Sequence, residues 1–243
     1  TLAVARSAHR AEAVLVTYAA VIGLLKEGGR VVGAQVEDRL QLGRTLSVRA
    51  RVVINATGVW ADRLMQMDTP AGQRHLRPSK GVHIVVPRAR FANERVVVFF
   101  SPRDGRILFL IPWGNQTVIG TTDTDYEGDF DRVYATRADV DYILEATNAA
   151  FPDVHLTTEE IISTYAGLRP LVIQPGAENA YQVSREHQIF ISDAGLVSIT
   201  GGKLTTAREM ARQVVDVAER RLRTDHIYPI APCQTHLQPL DPA

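Results

Sequence analysis

Apolar residues recur along this chain with two periods, every second position in some stretches and every third or fourth in others, and the switches between them mark strands and helices. Residues 1–10 carry the helical period, and residues 14–18, "VLVTY", read as a strand. "VIGLLKEGGRVVGAQVED" holds two β-rich runs hinged on Glu27-Gly28-Gly29-Arg30, the pattern of a hairpin. The next run ends in the continuous apolar triplet Val52-Val53-Ile54, which predicts a buried strand, and Ala56-Thr57-Gly58 makes a small-residue turn before a helix. In open α/β sheets ligands sit at such strand ends.

From Leu76 to Gly120 the texture changes to alternating β-segments. "GVHIVVPR", "RVVVFF", "RILFLIPW" and "TVIGTT" are separated by Pro, Gly and Asp, which predicts an antiparallel sheet in a second domain. Residues 136–151 read as a helix with Thr136 and Asp139 at capping spacing, apolar on the side of Val140, Ile143, Leu144 and Phe151, and stopped by Pro152. "IISTYAGLRPLV" returns as a strand and "QIFISDAGLVSIT" as a hairpin. The last long helix puts Leu204, Ala207, Ala211, Val214, Val215, Ala218 and Leu222 on one stripe, and a proline-containing linker follows.

With 243 residues, 45% hydrophobic and 22% charged, the chain is an ordinary globular sequence, long enough for one large domain or two smaller ones. The 27 basic and 27 acidic residues cancel, so no general field draws nucleic acid or an anionic membrane, and any anion recognition is local. The single Cys233 rules out an internal disulfide, fits a reducing compartment and has no evident activating neighbour. The longest apolar window, Ala13 to Leu25, includes Thr17, Tyr18 and Gly23 and falls short of the roughly 20 residues of a spanning helix. The chain starts at Thr1 without an initiator Met or a signal peptide, inside what reads as a helix, so further residues are expected upstream.

Candidate chemistry starts from "SITGGKLTTAR", where a β-branched run breaks into Gly201-Gly202-Lys203 and resumes as a helix. Paired glycines and a helix start can hold an anion, or the glycines can simply cap and pack. The nucleotide P-loop spacing fails, with Val197 in place of its first Gly and Leu204 in place of its Ser/Thr. His83 alternates onto the face of Gly81 and Val85, as either a structural residue or a catalyst. Arg169 and Arg185 stand next to apolar sequence that implies partial burial, so each needs an anion: an internal carboxylate such as Glu186 or Asp193, or a ligand. If Arg169, Arg185 and Lys203 converge, they suit a phosphate dianion.

The acidic segment "GTTDTDYEGDF" fails the calcium-loop template because Tyr134 stands where the bidentate Glu belongs, and a turn of Asx hydrogen bonds with Thr121 and Thr122 at the strand end explains it better. No Ser-His-Asp order, zinc spacing or other metal-ligand pattern stands out. A G-x-G-x-x-G fingerprint is also missing, since Gly28, Gly29 and Gly33 have other spacing and lie in a hairpin.

Taken in order, "VVINATGVWADRL", "RPSKGVHIVVPR", "FLIPWGNQTVIGTTDTDYEGD", "STYAGLRPLV", "VSREHQIF" and "ITGGKLTTAREMA" closely resemble the FAD-dependent, respiratory-type glycerol-3-phosphate dehydrogenase family. The resemblance implies an α/β fold of mixed α+β character: an incomplete FAD-binding Rossmann-like domain with an inserted antiparallel-sheet substrate domain, the DAO-type flavoprotein architecture. Residues 1–75 and 176–222 would belong to the FAD domain, 76–175 to the substrate domain, and 223–243 to a linker toward a truncated helical domain. It implies oxidation of sn-glycerol 3-phosphate to dihydroxyacetone phosphate by hydride transfer from C2 to FAD, with His83 as the base. Arg169 would act at the C2 oxygen, and Arg185 and Lys203 at the phosphate, in roles that are interchangeable. Ala56, Thr57, Gly58, Gly201, Gly202, Lys203, Leu204 and Thr205 would line the cofactor. Quinone is the implied electron acceptor, with peripheral association at the cytoplasmic face of a membrane and a homodimer as further implications. A glycerol-3-phosphate oxidase using oxygen and a non-catalytic anion-binding fragment are the alternatives. The family's glycine-rich pyrophosphate unit would precede Thr1, so weak or absent FAD binding is expected of these 243 residues alone, and Val59 replaces a frequent Pro.

Overall fold

The computed structural model describes residues 1–174, 185–224 and 231–240. The chain divides into two compact units, Thr1–Arg74 with Arg185–Ala243, and His75–Ser184.

The first unit opens with α1 (Leu2–Arg10) and an antiparallel meander of β1 (Ala19–Glu27), β2 (Arg30–Asp38) and β3 (Thr45–Arg49). Gly28 and Gly29 take φ of 54° and 79°, the left-handed pair that a two-residue hairpin turn requires. Residues 14–18 do not form the expected strand. Val14 is 88% exposed, and among the described residues no neighbouring strand supplies the ladder bonds that would hold this apolar run. The run through Val52-Val53-Ile54 is also not one buried strand: β3 stops at Arg49, and β4 (Ile54–Asn55) is short with Ile54 exposed. Burial at this point belongs to Asn55, whose amide donates to the Ala61 carbonyl and to Ser198 Oγ. A 3-10 turn, Gly58–Trp60, then leads into α2 (Ala61–Asp68).

The second unit is built on β5 (Leu76–Pro87), β6 (Val97–Phe100), β7 (Ile107–Trp113), β8 (Gln116–Gly120), β9 (Thr124–Asp125), α3 (Arg137–Ala150) and β10 (Ser163–Val172). Its antiparallel sheet runs β10-β5-β8-β7-β6, with β9 also paired to β5. Strand alternation gives the two faces different fates. Val82, Ile84 and Val86 of β5, Leu108 and Leu110 of β7, and Ile119 of β8 pack with Ile143 and Ala146 of α3 into one core. The residues between them point the other way. Register aligns Tyr165, His83, Gly120, Phe109 and Val98 in one row across that second face.

The helix that covers the core face is fixed by its start. Thr136 and Asp139 form the expected capping box, and Asp139 also receives the buried Lys80 ammonium at 2.6 Å. Burial pushes the Asp139 carboxyl up, but the bonds from Lys80 and Thr136 outweigh it and hold it below the usual carboxylate range.

The chain returns to the first unit as β11 (His187–Ile191) and β12 (Val197–Gly201), with β12 antiparallel to β11 and parallel to β4. A 3-10 turn, Leu204–Thr206, precedes α4 (Ala207–Thr224). The face of α4 that packs is Met210, Val214 and Val217 against Val197, Ile199 and Ile189. Val214 and Ala218 of the expected stripe are buried, but Leu204, Ala207, Ala211 and Val215 are exposed, so the buried arc is rotated toward Met210 and Val217. Among the described residues no helix is long and apolar enough to cross a membrane.

Removing Lys80 leaves the Asp139 charge buried without its cation, so Lys80→Met is expected to destabilise by about 3 kcal/mol. Thr136→Ala, which removes one cap bond, should cost about 1 kcal/mol. Urea unfolding of the two variants checks the order, and equal losses would refute it.

Candidate active site

The long strand β5 brings Ser79, Gly81 and His83 onto the face opposite α3, and the antiparallel register places Arg169, Gly167 and Tyr165 of β10 beside them in that order. The imidazole of His83 stacks on the Tyr165 ring with centroids 4.7 Å apart and planes 13° from parallel. On its other side lies Gly120, where a Cβ would sit 2.5 Å from His83 Cδ2. Only glycine leaves room for the ring. His83 Nδ1 is buried with no hydrogen-bond partner among the described residues. Burial first, and the Arg169 charge second, hold the imidazole below its ordinary value of 6.5, so it is neutral at pH 7 and able to accept a proton.

Arg169 lies over Gly81, where a Cβ would come within 2.6 Å of its Nη2. Its guanidinium donates to Thr121 Oγ1 at 3.1 Å and to the Thr122 carbonyl at 3.3 Å, and it reaches Asp123 Oδ1 at 3.4 Å. Among the described residues the carboxylate that Arg169 reaches is Asp123, where the sequence suggested Glu186 or Asp193. Asp123 is itself buried and accepts from Ser79 Oγ, while Asp125 receives two bonds from Arg77, at 2.6 and 2.9 Å. Strand pairing and arginines take up these acidic side chains. Thr122 Oγ1 accepts from the Val82 amide, which closes the strand end.

The candidates in the first unit stand at strand ends. Because β4 and β12 are parallel, the Ala56-Thr57-Gly58 and Gly201-Gly202-Lys203 turns leave the sheet at the same edge, with φ of 61° at Gly58, 81° at Gly201 and 74° at Gly202. Gly202 also has a packing reason, since a Cβ there would meet Met210 Sδ at 2.5 Å. Lys203, Leu204 and Thr205 are exposed at the helix start, where leading N–H groups lack intrahelical acceptors. Arg185 is exposed instead of partly buried, two residues before the His187–Gly201 pair, as Lys203 is two residues after it. The register thus brings Arg185 and Lys203 to one end of the β11–β12 pair, and His83 and Arg169 together in the other unit.

Cys233 does have a neighbour, Thr235, whose hydrogen bonds lower the thiol's pKa. A surface concavity of about 490 Å³ lined by Glu27, Arg30, Arg49 and Arg51 includes none of the candidate residues. Among the described residues no group of His, Cys, Asp or Glu is placed to hold a metal ion. Sequence reasoning missed Tyr165 and Asp123 as neighbours of the site. The alternation of Tyr165, Gly167 and Arg169 along β10 was the available signal for the first, and nothing local pointed to the second.

The family model described as FAD dependent oxidoreductase matches residues 1–217, and the chain belongs to that family. Within it, the chain is 42% identical over 218 residues to glycerol-3-phosphate dehydrogenase of Mycobacterium leprae, covering 90% of this chain and 36% of that protein. It is 38% identical over 240 residues to aerobic glycerol-3-phosphate dehydrogenase of Bacillus subtilis, covering 99% of this chain and 43% of that one. The crystal structure of glycerol-3-phosphate dehydrogenase from Bacillus halodurans complexed with FAD superposes with a TM-score of 0.84 at 38% identity, over 96% of this chain and 44% of that one. The chain therefore spans less than half the length of these relatives.

The residues present fit part of an FAD site. Two glycine turns at the carboxyl edge of a parallel pair, one of them feeding a helix start beside a lysine, offer N–H groups and positive charge to an anionic edge of a ligand.

Gly81→Ala pushes only against the end of a flexible arginine, so it is expected to change stability by less than about 1 kcal/mol while displacing Arg169. Gly120→Ala meets the Val82 carbonyl as well as His83 and should cost about 1–3 kcal/mol. Thermal unfolding with a crystal structure of the first variant checks both. The fold favours neutral His83, so its contribution to stability is full above pH 6.5 and is lost as pH falls from 6.5 toward the lower native value. An NMR titration should place the His83 midpoint below 6.5, and a midpoint at or above it would sink the assignment.

Proposed function

We propose that this chain takes part in the FAD-dependent oxidation of sn-glycerol 3-phosphate to dihydroxyacetone phosphate. The observation that carries the reading is the pairing, on one open sheet face, of an imidazole stacked on Tyr165 with its Nδ1 buried and a partly buried guanidinium. A secondary alcohol loses a proton from oxygen and two electrons with the hydrogen on carbon, and these two side chains match the oxygen half of that chemistry.

In this reading a ring nitrogen of His83 accepts the C2 hydroxyl proton. Stacking on Tyr165 and the wall at Gly120 hold the ring in one plane, which limits the positions from which the proton can be taken. Arg169 stabilises the negative charge that grows on the C2 oxygen as the proton leaves. Arg185 and Lys203 hold the phosphate dianion, with bonds that suit guanidinium and ammonium groups. Ala56, Thr57, Gly58, Gly201, Gly202, Lys203, Leu204 and Thr205 line the cofactor. When bound, FAD supplies the two-electron acceptor. Electrons then pass to a quinone, from a homodimer at the cytoplasmic surface of a membrane. Residues 1–75 and 176–222 serve the cofactor and 76–175 the substrate, with 175–184 lying outside the described residues.

An oxidase that hands electrons to oxygen uses the same site and differs by making peroxide. The test is the anaerobic visible spectrum of a chain as long as its relatives, before and after glycerol 3-phosphate is added. The expected result is bleaching of the yellow flavin band, slowed by about 10²–10⁴-fold in His83→Asn. A flavin band that stays oxidised removes the substrate assignment, and peroxide formed in air removes quinone as the acceptor.

A further inference from the structure

We propose that Asp123 is a positioning residue for Arg169, and that the acidic segment after β8 exists to deliver it. This rests on the reading above that Arg169 acts at the C2 oxygen. Arginine is a long side chain with much rotamer freedom to lose, so a guanidinium that acts at one atom of a substrate has to be held there.

The register shows how the arm is laid down. Arg169 pairs with Ser79, yet its guanidinium sits over Gly81, which pairs with Gly167. The arm therefore leans along the sheet by one row, across positions from which both neighbouring strands have removed their side chains. The next row is His83 and Tyr165. The direction of the lean is toward the imidazole, and the Arg169 charge is felt there.

Consecutive residues fix the end of that arm: Thr121 by its hydroxyl, Thr122 by its carbonyl and Asp123 by its carboxylate. Asp123 is the charged member and is 5% exposed. It is held in turn from both sides. Ser79 donates its hydroxyl to the carboxylate, and the Arg106 guanidinium donates to the Asp123 carbonyl. Two residues on, Asp125 pairs with Ser79 in the β9–β5 ladder, and its carboxylate is clamped by Arg77. Asp123 is thus anchored before it anchors anything, the arrangement in which a carboxylate can aim a cation.

The experiment compares Asp123→Asn with Asp125→Asn in the FAD-loaded, full-length protein. Its first readout needs no substrate: the rate at which phenylglyoxal modifies Arg169, followed by peptide mass spectrometry with Arg88 as internal reference. Asp123→Asn is expected to speed Arg169 modification by about tenfold with Arg88 unchanged, and Asp125→Asn, which weakens one anchor of the segment but keeps the carboxylate that touches Arg169, to speed it by no more than about twofold. The second readout is turnover of glycerol 3-phosphate. Asp123→Asn should lower kcat by about tenfold with KM within about threefold, and raise the isotope effect with substrate deuterated at C2. Unchanged Arg169 reactivity overturns the proposal. So does a loosened Arg169 with normal kcat, or a fall in kcat that only tracks lost flavin and equal loosening of Arg88. Failure of the wild-type protein to oxidise glycerol 3-phosphate would strike the functional reading instead, while the modification rates still decide whether Asp123 holds Arg169.

Discussion

The second unit depends on one constraint: a strand in a sheet must send successive side chains to opposite faces. Along β5 this constraint gives Val82, Ile84 and Val86 to a core under α3 and gives Ser79, Gly81 and His83 to the other side. The core face is where burial of apolar area stabilises the fold. The opposite face is free of that duty and can hold polar groups in fixed positions, because the strands beneath it are locked by the packed side. Rigid backbone and permissive surface come from the same residues, counted alternately.

Two buried carboxylates show how differently the two faces use charge. On the helix side, Asp139 receives Lys80 and caps α3, so its charge serves folding. On the open side, Asp123 receives Ser79 and Arg169, one residue along β5 from Lys80. Each carboxylate meets a cation and a hydroxyl, which is what makes a charge tolerable away from water. The glycines follow a matching logic. Gly81 and Gly120 are there for what their missing side chains allow, a seat for a guanidinium and a slot for an imidazole.

In the first unit the controlling feature is the parallel pairing of β4 with β12, residues far apart in the sequence. Parallel strands send their carboxyl ends to one edge, so the turns at Gly58 and Gly201-Gly202 share an edge although each looks like an isolated loop in the sequence. In open α/β sheets such edges are where ligands bind, and the chain belongs to the FAD dependent oxidoreductase family.

The sequence by itself determined the local grammar: the hairpin at Gly28-Gly29, the capped α3, the antiparallel sheet, the glycine turn before α4, and the family. These are written in neighbouring residues, through turn dihedrals, caps and periodicity, and need no distant partner. Its errors fell where a distant partner decides. Residues 14–18 have the composition of a strand, but a strand needs a neighbour to bond with, and composition cannot supply one. The stripe of α4 was rotated because the buried arc depends on where β11 and β12 lie, and several faces of an alanine- and valine-rich helix look apolar. Arg169 was legible as a cation in need of an anion, whereas its partner Asp123 was not, because 46 residues separate them and only the pairing of β9 and β10 with β5 brings them together. Tertiary structure alone decided that pair, the seat at Gly81 and the lowered pKa of His83, since steric fit, Coulomb and desolvation energies act through space and not along the chain.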